Sequence, residues 1–160
     1  AVSRRAVASR CSVSAGTIYN YYESKADLLS DTIESIWHEI FFHPEDEQVF
    51  HDVESCISWI YERLEYGNRQ FPGFFSLHSF GFMRDEKTSG KKRMMKTWGH
   101  ILNGLCEVLE NDPKVRADVF DQEFTEKKFA DILFSLILVS MIRQDYDPSS
   151  VLMLVKKTLY

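Results

Sequence analysis

Apolar residues recur along this chain at helical rather than strand spacing, and caps and prolines divide the pattern into segments. Ser3 to about Arg10 reads as a short helix with Val7 and Ala8 inward, and Cys11-Ser12-Val13 as a tight connection. Ser14 is placed to cap a second short helix to Tyr22, with Val13, Ile18 and Tyr22 inward. Ser24-Lys25-Ala26-Asp27 has the form of a capping box and opens a long helix from about Lys25 to Phe42. On it Leu28, Leu29, Ile33, Ile36, Trp37, Ile40 and Phe41 make a wide apolar stripe. His43-Pro44 ends it, because the residue before a proline avoids helical backbone.

The rest continues in the same period. A helix is predicted from about Asp46 to Tyr66, with Val49, Phe50, Val53, Ile57, Ile60, Tyr61 and Leu64 inward and Gly67-Asn68 closing it. Pro72 to about Arg84 is a short aromatic segment, and Lys91–Glu110 is another helix. Asp112-Pro113 restarts a helical turn. Thr125 caps a helix to about Arg143, and Asp147-Pro148 starts the last one, which carries Val151, Leu152, Leu154, Val155 and Leu159. The fold class is therefore all-α. The longest apolar stretch lies within Leu133–Ile142 and is far below the roughly 20 residues that span a bilayer.

Charge sharpens this picture. The net charge is -5, yet Arg4, Arg5, Arg10 and Lys25 face only Glu23 within the first 25 residues, a local +3 against −8 for the remainder. A basic end on an acidic body fits a protein whose end alone meets a polyanion, although a solvated charge cluster looks the same. Cys11, Cys56 and Cys106 are odd in number and widely spaced, as expected of reduced thiols in a cytoplasmic protein.

Taken physically, Ser3–Leu29 is two short helices joined by a three-residue turn and followed by a long helix, which is helix-turn-helix geometry. The outward residues of the second helix, Ala15, Gly16, Thr17, Asn20 and Tyr21, are small or uncharged and hydrogen-bonding, as a helix deep in a groove requires. This segment resembles the DNA-binding signature of the TetR/AcrR family of transcriptional regulators. The matching residues are Val7-Ala8, then Val13-Ser14, Gly16-Thr17-Ile18-Tyr19, Tyr21-Tyr22, Ser24-Lys25 and Leu28-Leu29.

The resemblance implies roles residue by residue. Ser3 would bond a phosphate; Ser14, Ala15, Gly16 and Thr17 would lie nearest the base edges. Tyr19 and Tyr21 would reach phosphates, Asn20 a base edge or phosphate, and Lys25 a phosphate at the start of the long helix. Tyr21 is also readable as partly core, and Arg4, Arg5 and Arg10 either as solvated charges or as phosphate contacts. Two departures stand out. Ser12 occupies the turn position where the family usually has Gly, and Ser tolerates left-handed backbone poorly. The family's first helix, which lies upstream of Ser3, has no counterpart, so the sequence reads as starting inside its DNA-binding domain.

The expected organisation is a helix-turn-helix domain with its linking helix over residues 1–43 and an α-helical effector-binding and dimerisation domain over 44–160. Phe129–Ile142 is apolar nearly all round, so more than one of its sides must be covered. A homodimer interface is expected from Phe129, Leu133, Leu136, Ile137, Leu152 and Val155, as the resemblance also implies; a buried central helix in a monomer is the plainer alternative. An aromatic and Met-rich middle, with Phe74, Phe75, His78, Phe82, Trp98 and Leu102, suits either a core or an apolar pocket, and the resemblance favours a pocket. The partners expected are a double-stranded DNA operator, a second copy of the chain and an unknown small-molecule effector, with no membrane.

Catalysis has no positive support. None of the five histidines, His38, His43, His51, His78 and His100, forms an HExxH pattern, and no P-loop, GxGxxG or GxSxG occurs. No enzyme activity, cofactor or metal is expected. The function read from the sequence is a DNA-binding regulator, most simply a repressor released by a small apolar ligand. The alternative is a helix-turn-helix protein without an effector, acting in chromosome organisation or division control.

Overall fold

The computed structural model describes residues 3–42, 51–76 and 89–160, with side chains from residue 98 onward in the last span. The described residues contain no strand; their helices are α1 (Arg4–Arg10), α2 (Ala15–Tyr21), α3 (Lys25–Phe41), α4 (Val53–Gln70), α5 (Ser89–Asn111), α6 (Glu126–Arg143) and α7 (Ser149–Leu159), with a further helical stretch at 74–76. The expected all-α architecture is present. No described helix is long and apolar enough to cross a membrane.

Caps explain most helix boundaries. The Ser24 hydroxyl accepts the Asp27 N–H while the Asp27 carboxylate accepts the Ser24 N–H, completing the capping box that starts α3. Thr125 starts α6 in the same way, accepting the Lys128 N–H. α4 differs from expectation at both ends. It starts at Val53 because Asp52, in extended conformation, accepts the Ser55 N–H at 2.7 Å. The expected inward residues Val49 and Phe50 lie outside the described residues. At the far end, Gly67-Asn68 does not stop the helix, which runs on to Gln70. Asp112-Pro113 makes a turn instead of a helical restart, since the Asp112 carboxylate accepts the Lys114 N–H two residues on.

One core holds the body together. Trp37 and Ile40 of α3 join Ile57, Ile60, Tyr61 and Leu64 of α4, Leu105 and Leu109 of α5, Leu133 and Ile137 of α6 and Val155 and Leu159 of α7. Gly67 sits on the face of α4 beneath α3: a methyl group there would lie 2.6 Å from the Ile40 side chain and 3.1 Å from the Phe75 ring. The glycine therefore lets the two helices approach. Arg63, one turn earlier on α4, donates from Nε to the Ile40 carbonyl at 2.5 Å and from a terminal nitrogen to the Glu39 carbonyl at 3.1 Å. Those are last-turn carbonyls of α3, which a cation satisfies well.

Asp112 closes the other end of the body. Its buried carboxylate accepts the Val53 N–H at 2.9 Å, one of the donors that a helix start leaves open, and the Tyr160 hydroxyl at 2.6 Å. Arg116 reaches the same corner, donating to the Leu159 and Thr158 carbonyls. Burial and the bond to Asp112 together push the Tyr160 phenol well above its usual range.

Two outcomes follow from this packing. Gly67→Ala gains helix propensity, yet the methyl has no room against fully buried Ile40. A net loss of about 1–2 kcal/mol is expected in urea unfolding; an unchanged or raised midpoint would contradict the close approach. Asp52 bonds Lys114 at 2.7 Å and the Ser55 N–H, and these hold its carboxyl down from 3.8 to about 2. A depressed carboxylate stabilises the fold above its unfolded value and loses that contribution as pH falls from about 4 to about 2. Wild type should lose about 1–2 kcal/mol more than Asp52→Asn over that window, and parallel stability curves would refute the assignment.

Candidate nucleic-acid interface

α1 and α2 pack on one another, and none of the principal helix packings joins either to α4–α7. Their connection is a left-handed cap. Ser12 has φ 54°, with its N–H on the Ser9 carbonyl and the Val13 N–H on the Ala8 carbonyl. This is the Schellman arrangement, in which one residue turns left-handed to satisfy the last carbonyls of a helix. Serine therefore does adopt the conformation that the sequence marked as costly for it.

Ser3 and Ser14 start the two helices, their hydroxyl oxygens accepting the N–H groups of Ala6 and Thr17. As acceptors they keep a hydroxyl proton to donate elsewhere. Ser14 and Thr17 also share a hydroxyl–hydroxyl bond of 2.9 Å, which fixes the Thr17 rotamer. No acid stands in the first turn of either helix.

Most of the residues singled out from the sequence are exposed. Ser3, Ser14, Gly16, Tyr19, Asn20, Tyr21 and Lys25 are exposed, Tyr21 to 79%, while Ala15 and Thr17 are half-buried. The strong exposure of Tyr21 removes its reading as partly core. Lys25 is the first residue of α3, where its ammonium and the helix N-terminus add.

Arg4 is the residue that charge counting left undecided. Its guanidinium donates to the Tyr22 and Glu23 carbonyls at 3.0 and 2.8 Å and lies 4.1 Å from the centre of the Tyr19 ring. It thus ties α1 to α2 and to the entry of α3, and it orients Tyr19 through a cation–π contact. A long-range bond to backbone carbonyls leaves no periodic trace in a sequence. Arg5 and Arg10 are exposed.

The core of this unit is thin. Up to residue 32, the described residues bury only Ala8, Leu28 and Ser30. Val13, expected inside, is 40% exposed, and Leu29 is exposed as well. Val13 lies just past the left-handed turn, where its N–H is engaged but its side chain is left at the surface.

Residues 1–32 match the family of bacterial regulatory proteins described as the tetR family. The matched span is one fifth of the chain; it makes the N-terminal unit similar to the DNA-binding part of that family and supports a DNA-binding transcriptional regulator. No curated protein and no solved structure matches the chain.

The other residues singled out for this regulator fall mostly in its core. Phe74 and Phe75 pack on Trp37, with ring centres 5.7 and 5.9 Å apart. Trp98 meets Phe134 edge-on at 5.7 Å, Leu102 packs against the core, and His78 and Phe82 lie outside the described residues. A cavity of about 190 Å³ does open in the body, but between α3, α4 and α5, where Phe41, Phe42, Trp59 and Ile101 are among its walls and Phe74, Phe75, Trp98 and Leu102 are not. Of the expected interface residues, Phe129, Leu133, Ile137 and Val155 are buried within the chain itself, and Leu136 and Leu152 are half-buried. The exposed apolar side chains of the last two helices are Ile132, Val139 and Ile142 on α6 and Met153 and Leu154 on α7.

The Ser12 turn gives a direct check. A non-glycine residue in left-handed backbone costs about 1–2 kcal/mol, and the Ser12 side chain is exposed. Ser12→Gly should raise stability by about 1 kcal/mol in thermal unfolding, whereas a destabilised variant would mean that the hydroxyl is held by a bond of its own.

Proposed function

We propose that this regulator is a cytoplasmic repressor that holds an operator as a homodimer and releases it when a small apolar ligand enters the body. The observation that carries the reading is the exposed face of α2. It presents Gly16, Asn20 and Tyr21 with no acid in its first turn, and Lys25 stands beside it. Gly16 lets the backbone come close to base edges; Asn20 is the side chain able to bond them in a bidentate way. Ser3, Ser14, Tyr19, Tyr21 and Lys25 take phosphates and so set register rather than sequence. Residues 1–43 form the reading domain with its linking helix, and 44–160 the effector and dimer domain.

Dimerisation uses the outer faces of α6 and α7. Ile132, Leu136, Val139 and Ile142 follow one another at helical spacing along α6, with Val139 48% exposed. Such a stripe on a regulator that reads a two-fold site is best covered by its own copy. The ligand acts through α3, whose last turn walls the cavity while its first turn carries Lys25.

Fluorescence anisotropy on a partly palindromic operator tests the reading. Lys25→Ala should weaken binding to all sequences alike and flatten the logarithmic salt slope by about 1, and Asn20→Ala should shift sequence preference. Val139→Glu should yield monomers by light scattering and lose the operator at concentrations where wild type binds. A wild-type monomer at micromolar concentration, or a Lys25→Ala protein with an unchanged salt slope, would reject the docking.

A further inference from the structure

Among the glycines inside the long helices of the body, Gly67 is closely packed while Gly99 and Gly104 are not, and of these three Gly104 alone lines a pocket. At Gly67 a side chain would strike Ile40 and Phe75, so close packing accounts for the residue. At Gly104, well inside α5, an added Cβ would meet nothing within 4 Å. Glycine is among the least favourable residues in a helix interior, and here no neighbour requires it. The space beyond Gly104 is the cavity of about 190 Å³ between α3, α4 and α5.

The walls define what fits. Phe41 and Trp59 meet edge to face, centres 5.9 Å apart at 63°, and form an aromatic corner. Ile60, Ile101, Leu105 and Val108 complete an apolar lining. The ionisable groups on the wall are Cys56 and His100, and His100 is exposed. Burial, with the nearby Asp52 charge, pushes the Cys56 thiol up to about 12, so it offers neither charge nor a thiolate nucleophile. An enclosed apolar cavity of ~150 Å³ holds a benzene ring; this pocket, partly open to solvent, has room for a ring with a short substituent. A flat ring in the corner gains edge-to-face contacts that an aliphatic ring lacks.

We infer that this cavity binds an uncharged, single-ring aromatic molecule, and that Gly104 is the residue that keeps room for it. The inference rests on the effector reading above and names the class and place of the ligand. Because Phe41 and Phe42 belong to the end of α3, a ring bound here touches the helix that carries the reading unit.

Calorimetry on the full chain without DNA tests it, with toluene, methylcyclohexane and benzoate as probes. Toluene should bind wild type, methylcyclohexane several-fold more weakly and benzoate at least tenfold more weakly. Gly104→Leu should fill the space and abolish toluene binding. Gly104→Ala should weaken it and raise Tm by a few degrees, which shows that loss of binding is not loss of fold. Absence of toluene binding to wild type, undiminished binding to Gly104→Leu, or benzoate binding as tightly as toluene would each overturn the assignment. Operator affinity with and without toluene is a separate measurement: binding without release would sink the effector reading and leave the cavity assignment standing.

Discussion

The last turn of α3 is the joint on which the molecule depends. Ile40 is fully buried against Gly67 of α4, Arg63 holds the Glu39 and Ile40 carbonyls, and Trp37 is packed among Phe41, Phe74 and Phe75. The three contacts differ in kind, since one is a steric fit, one a charge-assisted cap and one aromatic packing. Together they make the end of α3 part of the body, while Arg4 of α1 reaches the Glu23 carbonyl just ahead of its start. A helix fixed at one end converts a small shift at that end into a larger displacement at the other.

The reading unit has the opposite character. It is held by caps, by the left-handed turn at Ser12 and by the reach of Arg4 to the Tyr22 and Glu23 carbonyls, more than by burial. Hydrogen bonds of this sort fix geometry but contribute about 1 kcal/mol each.

What the sequence disclosed follows from what kind of information each feature uses. Most helix positions, the capping box and the Thr125 cap were legible, because capping and amphipathic period are local. The end of α4 was not: Gly67 has the appearance of a stop, but its role is set by Ile40, 27 residues earlier in the chain. The aromatic residues of the middle offered no way to tell core from cavity, and Phe74 and Phe75 go to the core because Trp37 needs partners. The cavity lies where helix spacing leaves space beside Gly104, and spacing between helices has no sequence period. The same limit applies to α6, where a helix apolar all round did not reveal which side faces inward: Leu133 and Ile137 do, Val139 and Ile142 do not.

Hydrogen exchange of the full chain tests most directly the claim that α3 is rooted in the body. The amides of Trp37–Phe41 should exchange only with opening of the body core, at the pace of Ile57–Leu64 on α4, while those of α1 and α2 exchange far earlier. Exchange of the last turn of α3 together with α1 and α2, ahead of α4, would contradict the account.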